Sequence, residues 1–179
     1  MTTNHTTLPI CQLGNPILRS RANPVTNVLD ESVQSSIERL MSVLSASNGV
    51  GIAAPQLGRS LQIIVVASRP NPRYPHAPYM EPVVMINPWL ESCSNELVKD
   101  WEGCLSIPGI RGLVPRYQAI EVGYTNCQGQ VEHRRFTDFI ARVFQHEYDH
   151  LSGKVFLDRV ESSLEIVTEE EYLKLVQTS

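Results

Sequence analysis

A pentapeptide late in the chain has the residue types and spacing of a metal-binding helix. His146-Glu147-Tyr148-Asp149-His150 is an HExxH pattern. Side chains four positions apart share one face of a helix, so the two imidazoles can bind one metal ion. The glutamate then lies beside the water that the metal activates and can act as a general base. The pattern favours hydrolytic chemistry; the alternative is that both histidines are solvated or hydrogen-bonded helix residues.

The flanking residues predict the helix that this pattern requires. Apolar residues recur at helical spacing after a cap at Thr137 or Asp138, and Gly153 ends the run; they are Phe139, Ile140, Val143, Phe144 and Leu151. At 100° per residue, both histidines and Glu147 fall within this apolar arc. Four polar residues are expected on the opposite, outward face: Arg142, Gln145, Tyr148 and Asp149. Burying two imidazoles and a carboxylate without partners is costly, and a bound metal would compensate for it.

The pentapeptide does not identify a third metal ligand. Zinc endopeptidases with this motif take an acidic residue or a histidine from further along the chain. Candidates by position are Glu161, Glu165 and Glu169 to Glu171, but they lie in a polar tail with nothing to select one. An endopeptidase with an acidic third ligand therefore stays open.

A cysteine between small residues is a second candidate for chemistry. Cys104 stands in Glu102-Gly103-Cys104-Leu105-Ser106. A thiolate beside a cation can coordinate a metal, whereas most free cysteines are simply buried as apolar residues. A thiol hydrolase, with Cys104 as nucleophile and a histidine as its base, is a third interpretation.

A glycine-rich segment supplies a third element. Gly49-Val50-Gly51-Ile52-Ala53-Ala54-Pro55-Gln56 has small residues that allow another chain to approach, and the Gln56 amide could polarise a carbonyl. No lysine follows, and the segment comes after a helix, which disfavours a nucleotide-binding loop. A tight connection into the next strand is the simpler alternative.

Together and in this order, GVGIAAPQ, EGCLS and HEYDH resemble the three motifs of the peptide deformylase family. The resemblance extends from the first predicted helix to about residue 158. It implies hydrolysis of N-formylmethionyl nascent polypeptides, close to the ribosome exit, to formate and a free methionine terminus. It also implies a third ligand upstream of the pentapeptide, so that one divalent metal is bound by Cys104, His146 and His150.

The resemblance also assigns the remaining roles. The metal is expected to be Fe²⁺, with Zn²⁺, Ni²⁺ or Co²⁺ able to replace it. Glu147 acts as general base, and the Gln56 amide and the Leu105 backbone N–H stabilise the oxyanion. The peptide lies as an added strand near the backbone of Val50, Gly51 and Gly103. Its methionine side chain fits an apolar pocket lined by Val50 and Val143. A non-catalytic module that binds formylated chain ends is the remaining alternative, although it would not need the base.

Composition limits the other function classes. The chain has 179 residues, with 15 Lys and Arg against 19 Asp and Glu, a net charge of −4. The basic residues are scattered, so neither nucleic acid nor an anionic membrane is an expected partner. No apolar run approaches a membrane span, no secretory signal is recognisable, and four irregularly spaced cysteines suit reduced thiols. A cytoplasmic location is expected, and no oligomeric state can be predicted.

The wider pattern predicts an α+β fold of one domain over residues 1–179. A helix from Asp30 to Asn48 precedes a buried strand from Leu61 to Ala67. A Pro-rich surface loop is expected at 70–82, then a strand at 83–87 and a hairpin around 120–137. The tail, 159–179, is expected to contain a short helix after Thr168. We expect the metal-binding helix to pack on antiparallel or mixed sheets.

Overall fold

Helices and antiparallel strands alternate irregularly along the chain, as expected of an α+β fold. The structure is a computed structural model that describes residues 10–177. The predicted domain limits, 1–179, extend beyond the described residues at both ends. The α-helices are α1 (Glu31–Ala46), α2 (Asp138–Leu151) and α3 (Glu169–Gln177). The strands are β1 (Gly51–Ala53), β2 (Ile63–Ser68), β3 (Met80–Cys93), β4 (Leu97–Cys104), β5 (Ile107–Tyr117), β6 (Ala119–Thr125), β7 (Val131–Thr137) and β8 (Ile166–Thr168).

The strands form two antiparallel sheets. The first has the order β1-β2-β3-β6-β7, and the second has the order β4-β5-β8. In the first sheet β1 is an edge strand that pairs only with β2. Helix α2 contacts β1 and β2 of the first sheet and β5 of the second. The HEYDH pentapeptide, residues 146–150, therefore lies where the two sheets meet.

Strand β2 shows how the core is divided. All six of its residues are buried. Ile64 and Val66 pack with the apolar face of α2, whereas Ile63 and Val65 pack with α1 on the other side of the sheet. A strand that is covered on both faces is expected to be apolar at every position. This explains why the sequence shows a continuous run here and no alternation.

The predicted helices are confirmed, with small shifts at their ends. The Asp30 carboxylate caps α1 by accepting the Ser32 N–H at 2.9 Å, and α1 ends at Ala46, two residues before the predicted stop at Asn48. Helix α2 follows its N-cap Thr137 directly. The last helix begins after Thr168, whose Oγ1 accepts the Glu171 N–H at 3.3 Å. No helix within residues 10–177 is long and apolar enough to cross a membrane.

The Pro-rich segment is shorter than predicted. Strand β3 begins at Met80, so the last three positions of the expected 70–82 loop belong to a strand. The pairing of β3 with β2 is interrupted between Met80 and Val83. Pro82, which has no N–H to donate, lies in this interruption. In the remaining loop, Asn71 and Tyr74 exchange backbone hydrogen bonds of 3.2 and 3.0 Å. The loop is therefore an ordered turn.

The second sheet is the part of the fold that the sequence pattern did not reveal. Strand β5 contains Pro108, Gly109, Gly112 and Pro115, which interrupt the alternation that identifies a strand. Nevertheless β4 and β5 pair from Leu97 opposite Tyr117 to Cys104 opposite Ile107. This hairpin brings Cys104 to the side of α2.

Candidate metal centre and substrate cleft

Three side chains of types that can bind a metal converge between α2 and the β4–β5 hairpin. The ligand atoms of Cys104, His146 and His150 lie within 4.8 Å of one another, and all three residues are buried. The Cys104 Sγ lies 3.4 Å from His150 Nε2. One helical turn separates the two imidazoles, whose ring centroids are 5.3 Å apart. The three predicted ligands are thus brought together from two distant segments of the chain.

The electrostatics of this group suit a bound cation. Burial raises the pKa of the Cys104 thiol, but His150 and His146 outweigh burial and hold that pKa well below its usual range. Burial lowers the pKa of His146, and Cys104 and Glu102 together raise it well above normal. A buried thiolate therefore faces positive charge. One thiolate and two imidazoles form a donor set that suits a divalent ion such as zinc or iron.

Unsatisfied buried atoms provide a second observation that fits a bound group. Among the described residues, three side-chain atoms are buried without a hydrogen-bond partner: Glu147 Oε2 and His150 Nδ1 at this cluster, and Glu165 Oε2 in the tail. His150 directs Nε2, not Nδ1, at Cys104, so Glu147 Oε2 is the atom that a group bound at the cluster would partner. Glu147 is next to one ligand and lines the cleft above the cluster. Native proteins rarely leave buried polar atoms unpaired except where a ligand, water or ion completes the site. The residues present therefore fit a divalent metal with an open position.

Glu102 orients the first histidine. His146 Nδ1 lies 2.8 Å from Glu102 Oε2. When Nδ1 carries the proton and donates it, Nε2 keeps its lone pair for a metal. Burial raises the pKa of Glu102, but Arg116 and His146 hold it well below its usual range, so the carboxylate stays charged. Glu102 lies in the EGCLS motif, but nothing in the local sequence indicated this contact with His146.

Glu102 belongs to a buried ionic network behind the ligands. Arg116 donates to Glu102 Oε1 at 2.9 Å and Oε2 at 3.0 Å, and to Asp149 Oδ2 at 2.6 Å. Arg142 donates to Glu102 Oε1 at 2.9 Å and to the Val114 carbonyl at 2.8 Å. These bonds connect the pentapeptide helix to both strands of the hairpin.

The prediction that the polar face of α2 points outward is wrong for three of four residues. Arg142, Gln145 and Asp149 are buried, and Tyr148 is partly buried. The physical reason is that the β4–β5 hairpin covers this face and supplies the polar partners. Gln145, for example, exchanges hydrogen bonds of 3.0 and 2.9 Å with the backbone of Tyr117. A polar residue on a helix is not necessarily solvated when its partners come from another element.

Glu147 is held close to the backbone of β1. A Cβ built on Gly51 would lie 2.5 Å from Glu147 Oε1, so only glycine leaves room for the carboxylate. Burial raises the pKa of Glu147 to about 7, against the opposing effect of His146 and His150. A carboxylate with a pKa near neutrality is suited to accept and return a proton.

Gln56 directs its amide N–H groups at the cluster. Its Oε1 accepts the Ala53 N–H at 2.9 Å, which fixes the orientation of the amide. Its Nε2 then donates to Cys104 Sγ at 3.4 Å and to Ser106 Oγ at 3.1 Å. The next residue after Cys104, Leu105, also lines the cleft. Gln56 and Leu105, the residues predicted to supply the oxyanion donors, therefore both line the cleft that contains Cys104 and His146.

One cleft contains nearly all of the predicted site. Its lining includes Val50, Gly51, Gln56, Gly103, Cys104, Leu105, Val143, His146 and Glu147, while His150 is fully buried behind them. Gly49 and Glu102, which belong to the quoted motifs, also line the cleft. Five further lining residues were not assigned to the site from the sequence: Arg73, Tyr74, Trp101, Phe139 and Arg142. Phe139 lies on the helix face of His146 and could have been found by the helical spacing. Nothing in the loop sequence indicated that Arg73 and Tyr74 reach the cleft.

The acidic tail residues do not join the metal ligands. Glu161 and Glu165 pair with Lys99, and Glu169 pairs with Arg111. Among the described residues, the one group with ligand atoms close enough for a metal is the Cys-His-His cluster. The arrangement therefore does not support an endopeptidase with an acidic third ligand.

Known proteins share this sequence and architecture. The sequence matches the family model described as polypeptide deformylase over residues 7–165. Peptide deformylase 2 of Nostoc sp. is 59% identical over 169 residues, which are 94% of each chain. Peptide deformylase 2 of Shewanella oneidensis is 45% identical over 152 residues, covering 85% of this chain and 83% of that one.

Solved structures agree with the sequence matches. The class I type b peptide deformylase from Acinetobacter baumannii bound to Met-Ala-Ser has a TM-score of 0.83 and 42% identity, covering 86% of this chain and 98% of that one. The peptide deformylase from Synechococcus elongatus in complex with actinonin has a TM-score of 0.77 and 36% identity, covering 88% of this chain and 81% of that one. Together with the cleft described above, these matches show that the chain belongs to the polypeptide deformylase family.

Proposed function

We propose that this chain acts as a peptide deformylase through the residues of the described cleft. The reaction hydrolyses the formyl amide of N-formylmethionyl peptides, giving formate and a free N-terminal methionine. The observation that carries the assignment of roles is the convergence of Cys104, His146 and His150 beside Glu147, whose buried Oε2 has no hydrogen-bond partner.

Cys104, His146 and His150 would hold one divalent metal. When bound, it supplies a Lewis acid and lowers the pKa of water at the site. We propose Fe²⁺ from the family resemblance; Zn²⁺, Ni²⁺ and Co²⁺ also suit one thiolate and two imidazoles. Glu102 keeps the His146 imidazole oriented through the 2.8 Å contact at Nδ1.

Glu147 moves the protons of the reaction. Its carboxylate accepts a proton from the water whose oxygen attacks the formyl carbon. It then returns that proton to the methionine nitrogen as the C–N bond breaks, so the carboxylate is regenerated. A pKa of about 7 lets the group act in both directions near neutral pH.

Gln56 and Leu105 would stabilise the developing oxyanion. Gln56 Nε2 is directed at the cluster because its oxygen is fixed by the Ala53 N–H. The backbone N–H of Leu105 would be the second donor. Loss of one such donor costs roughly 10²- to 10³-fold in rate in other hydrolases.

The peptide would bind as an extra strand. The edge of β1 that does not pair with β2 borders the cleft at Gly51, and Gly103 lines the same cleft. The methionine side chain would fit among the apolar groups of Val50, Val143 and Phe139. Nascent chains close to the ribosome exit are the proposed source of substrate, which implies action in the cytoplasm.

Formate release from formyl-Met-Ala-Ser tests the proposal. Protein loaded anaerobically with Fe²⁺ should release one formate per peptide. Glu147→Gln should keep its metal and release formate at least about 10²-fold more slowly, because the proton acceptor is lost. Full activity in Glu147→Gln would overturn the assignment of the base, and no release by the metal-loaded parent would overturn the function.

A further inference from the structure

A cation at the mouth of the cleft has no part in the chemistry described above. Arg73 lies in the turn between β2 and β3 and lines the same cleft as Glu147 and Cys104. Its side chain is about one-fifth exposed. A guanidinium in this position is partly desolvated, so its interaction with a charged ligand is stronger than at an open surface.

Gly103 makes room for this arginine. A Cβ built on Gly103 would lie 2.7 Å from Arg73 Nη2 on one side and 3.1 Å from Arg111 Cδ on another. The guanidinium of Arg73 therefore rests against the backbone beside the metal ligand Cys104. A peptide that passes Gly103 must pass this group.

The charge of Arg73 is only partly compensated. The fully buried Arg111 donates hydrogen bonds to both carboxylate oxygens of Glu169, at 2.8 and 2.7 Å, and to the Tyr74 hydroxyl at 3.2 Å. Arg73 Nε is 3.9 Å from Glu169 Oε1, which is its one ion pair in the described part of the chain. Its guanidinium makes no hydrogen bond to another described residue. Two cations thus share one carboxylate, and this group carries a net charge of +1.

Neither of the two acids that line the cleft forms an ion pair with Arg73. Glu102 is bound by Arg116, Arg142 and His146. Glu147 is packed against Gly51. The counter-charge that Arg73 lacks would therefore come from the ligand, and the guanidinium fork matches a carboxylate in geometry.

We propose that Arg73 is a specificity-determining residue that binds an acidic side chain of the peptide, within the three residues that follow the formylmethionine. The inference rests on the proposed function for its substrate, and it adds a preference among nascent chains. The preference should reside in KM, because Arg73 contacts the peptide away from the bond that breaks.

Matched peptides test the preference. The set is formyl-Met-Ala-Ala-Ala amide with Glu, Gln or Lys at the second, third or fourth position, compared by kcat/KM. At one position the parent should prefer Glu over Lys about three- to tenfold, the size expected for a partly exposed charge pair. The ratio should fall as the salt concentration rises from 0.05 to 0.5 M.

Substitutions test whether the preference depends on Arg73 itself or on positive charge in its neighbourhood. Arg73→Gln should bring the Glu to Lys ratio to within about twofold of unity with kcat for the Gln peptide unchanged, and Arg73→Lys should restore part of the ratio. Arg69→Ala is the control, since it removes the same charge from a neighbouring position that bonds the Ser45 and Ser47 carbonyls outside this cleft. It should keep the ratio of the parent.

Binding measurements distinguish a failure of the Arg73 inference from a failure of the proposed function. Calorimetric affinities for the unformylated Met peptides should show the same preference for Glu and the same loss in Arg73→Gln. That result without any formate release would overturn the function and keep the Arg73 inference. Equal affinities and equal kcat/KM values for Glu and Lys at all three positions would overturn the Arg73 inference.

Discussion

The two sides of the metal ligands are built differently. Behind them, Glu102, Arg116 and Asp149 are buried and fully paired, and they join α2 to the β4–β5 hairpin. At the mouth of the cleft, Arg73 and Glu169 are partly exposed, and Glu169 is shared between Arg73 and the buried Arg111, so two cations face one carboxylate. The difference indicates that the rear side fixes the geometry of the metal centre, whereas the mouth leaves charge available for the substrate. The two sides should therefore respond differently to substitution.

The largest effect is expected behind the metal ligands. Glu102→Gln leaves the buried Arg116 and Arg142 without their counter-charge and weakens the hold on His146. We expect the free energy of unfolding to fall by about 3–5 kcal/mol and metal affinity to fall roughly 10- to 100-fold. Urea unfolding and metal titration measure the two effects. Glu121→Gln, an exposed carboxylate on β6, is the matched control and should change neither.

Gln56→Ala tests whether the oriented Gln56 amide stabilises the oxyanion. Its Nε2 donates toward Cys104, so its loss should lower kcat by roughly 10²- to 10³-fold, equivalent to about 3–4 kcal/mol. Steady-state formate release measures this, and metal content should stay at one per chain. A fall in activity that merely tracks loss of metal or of folded protein would contradict a role in stabilising the oxyanion.

Glu169→Gln measures how much the carboxylate at the mouth of the cleft contributes to stability. The substitution removes the charge that pairs with the buried Arg111, but Tyr74 remains as a partner and the carboxylate is partly exposed. The unfolding free energy should fall by about 1–2 kcal/mol, less than for Glu102→Gln. Thermal and urea unfolding of both variants provide the ranking. A larger loss for Glu169→Gln would show that the two sides had been ranked wrongly.

As the pH falls, the stabilising charge of Glu169 at the mouth of the cleft should be lost before that of Glu102 behind the metal ligands. The hydrogen bonds from Arg111 lower the pKa of Glu169, so its contribution is present above its unfolded pKa of about 4.5 and is lost as the pH falls through the folded value. Arg116 and His146 hold the pKa of Glu102 well below its usual range despite burial, so its contribution persists to lower pH. The stability difference between the parent and Glu169→Gln should therefore shrink below about pH 4.5. The difference for Glu102→Gln should remain there, which pH-dependent urea unfolding will show.

The sequence identified those features that depend on local spacing. The i, i+4 histidines, the Asp30 cap and the continuous apolar run of β2 each follow from one segment, and the structure confirms them. The convergence of Cys104 with the histidines came only from the resemblance to a family. Residue spacing alone left a buried cysteine, a nucleophile and a metal ligand as alternatives.

Long-range pairing accounts for what the sequence did not show. The polar face of α2 is buried because the β4–β5 hairpin supplies its hydrogen-bond partners. Strand β5 itself was not predicted because its glycines and prolines interrupt the alternation typical of a strand. Similarly, Arg111 is bound by Tyr74 and Glu169, which are 37 and 58 positions away. Such contacts depend on the packing of whole elements, which no local pattern encodes.

The most direct test of the metal centre is the metal content of Cys104→Ala, purified anaerobically beside the parent and Cys127→Ala. Cys127 is a half-buried cysteine outside the Cys104, His146 and His150 cluster and serves as the matched control. The parent and Cys127→Ala should each hold one divalent metal per chain, and Cys104→Ala should hold far less than one. One tightly held metal per chain in folded Cys104→Ala would contradict the thiolate as third ligand.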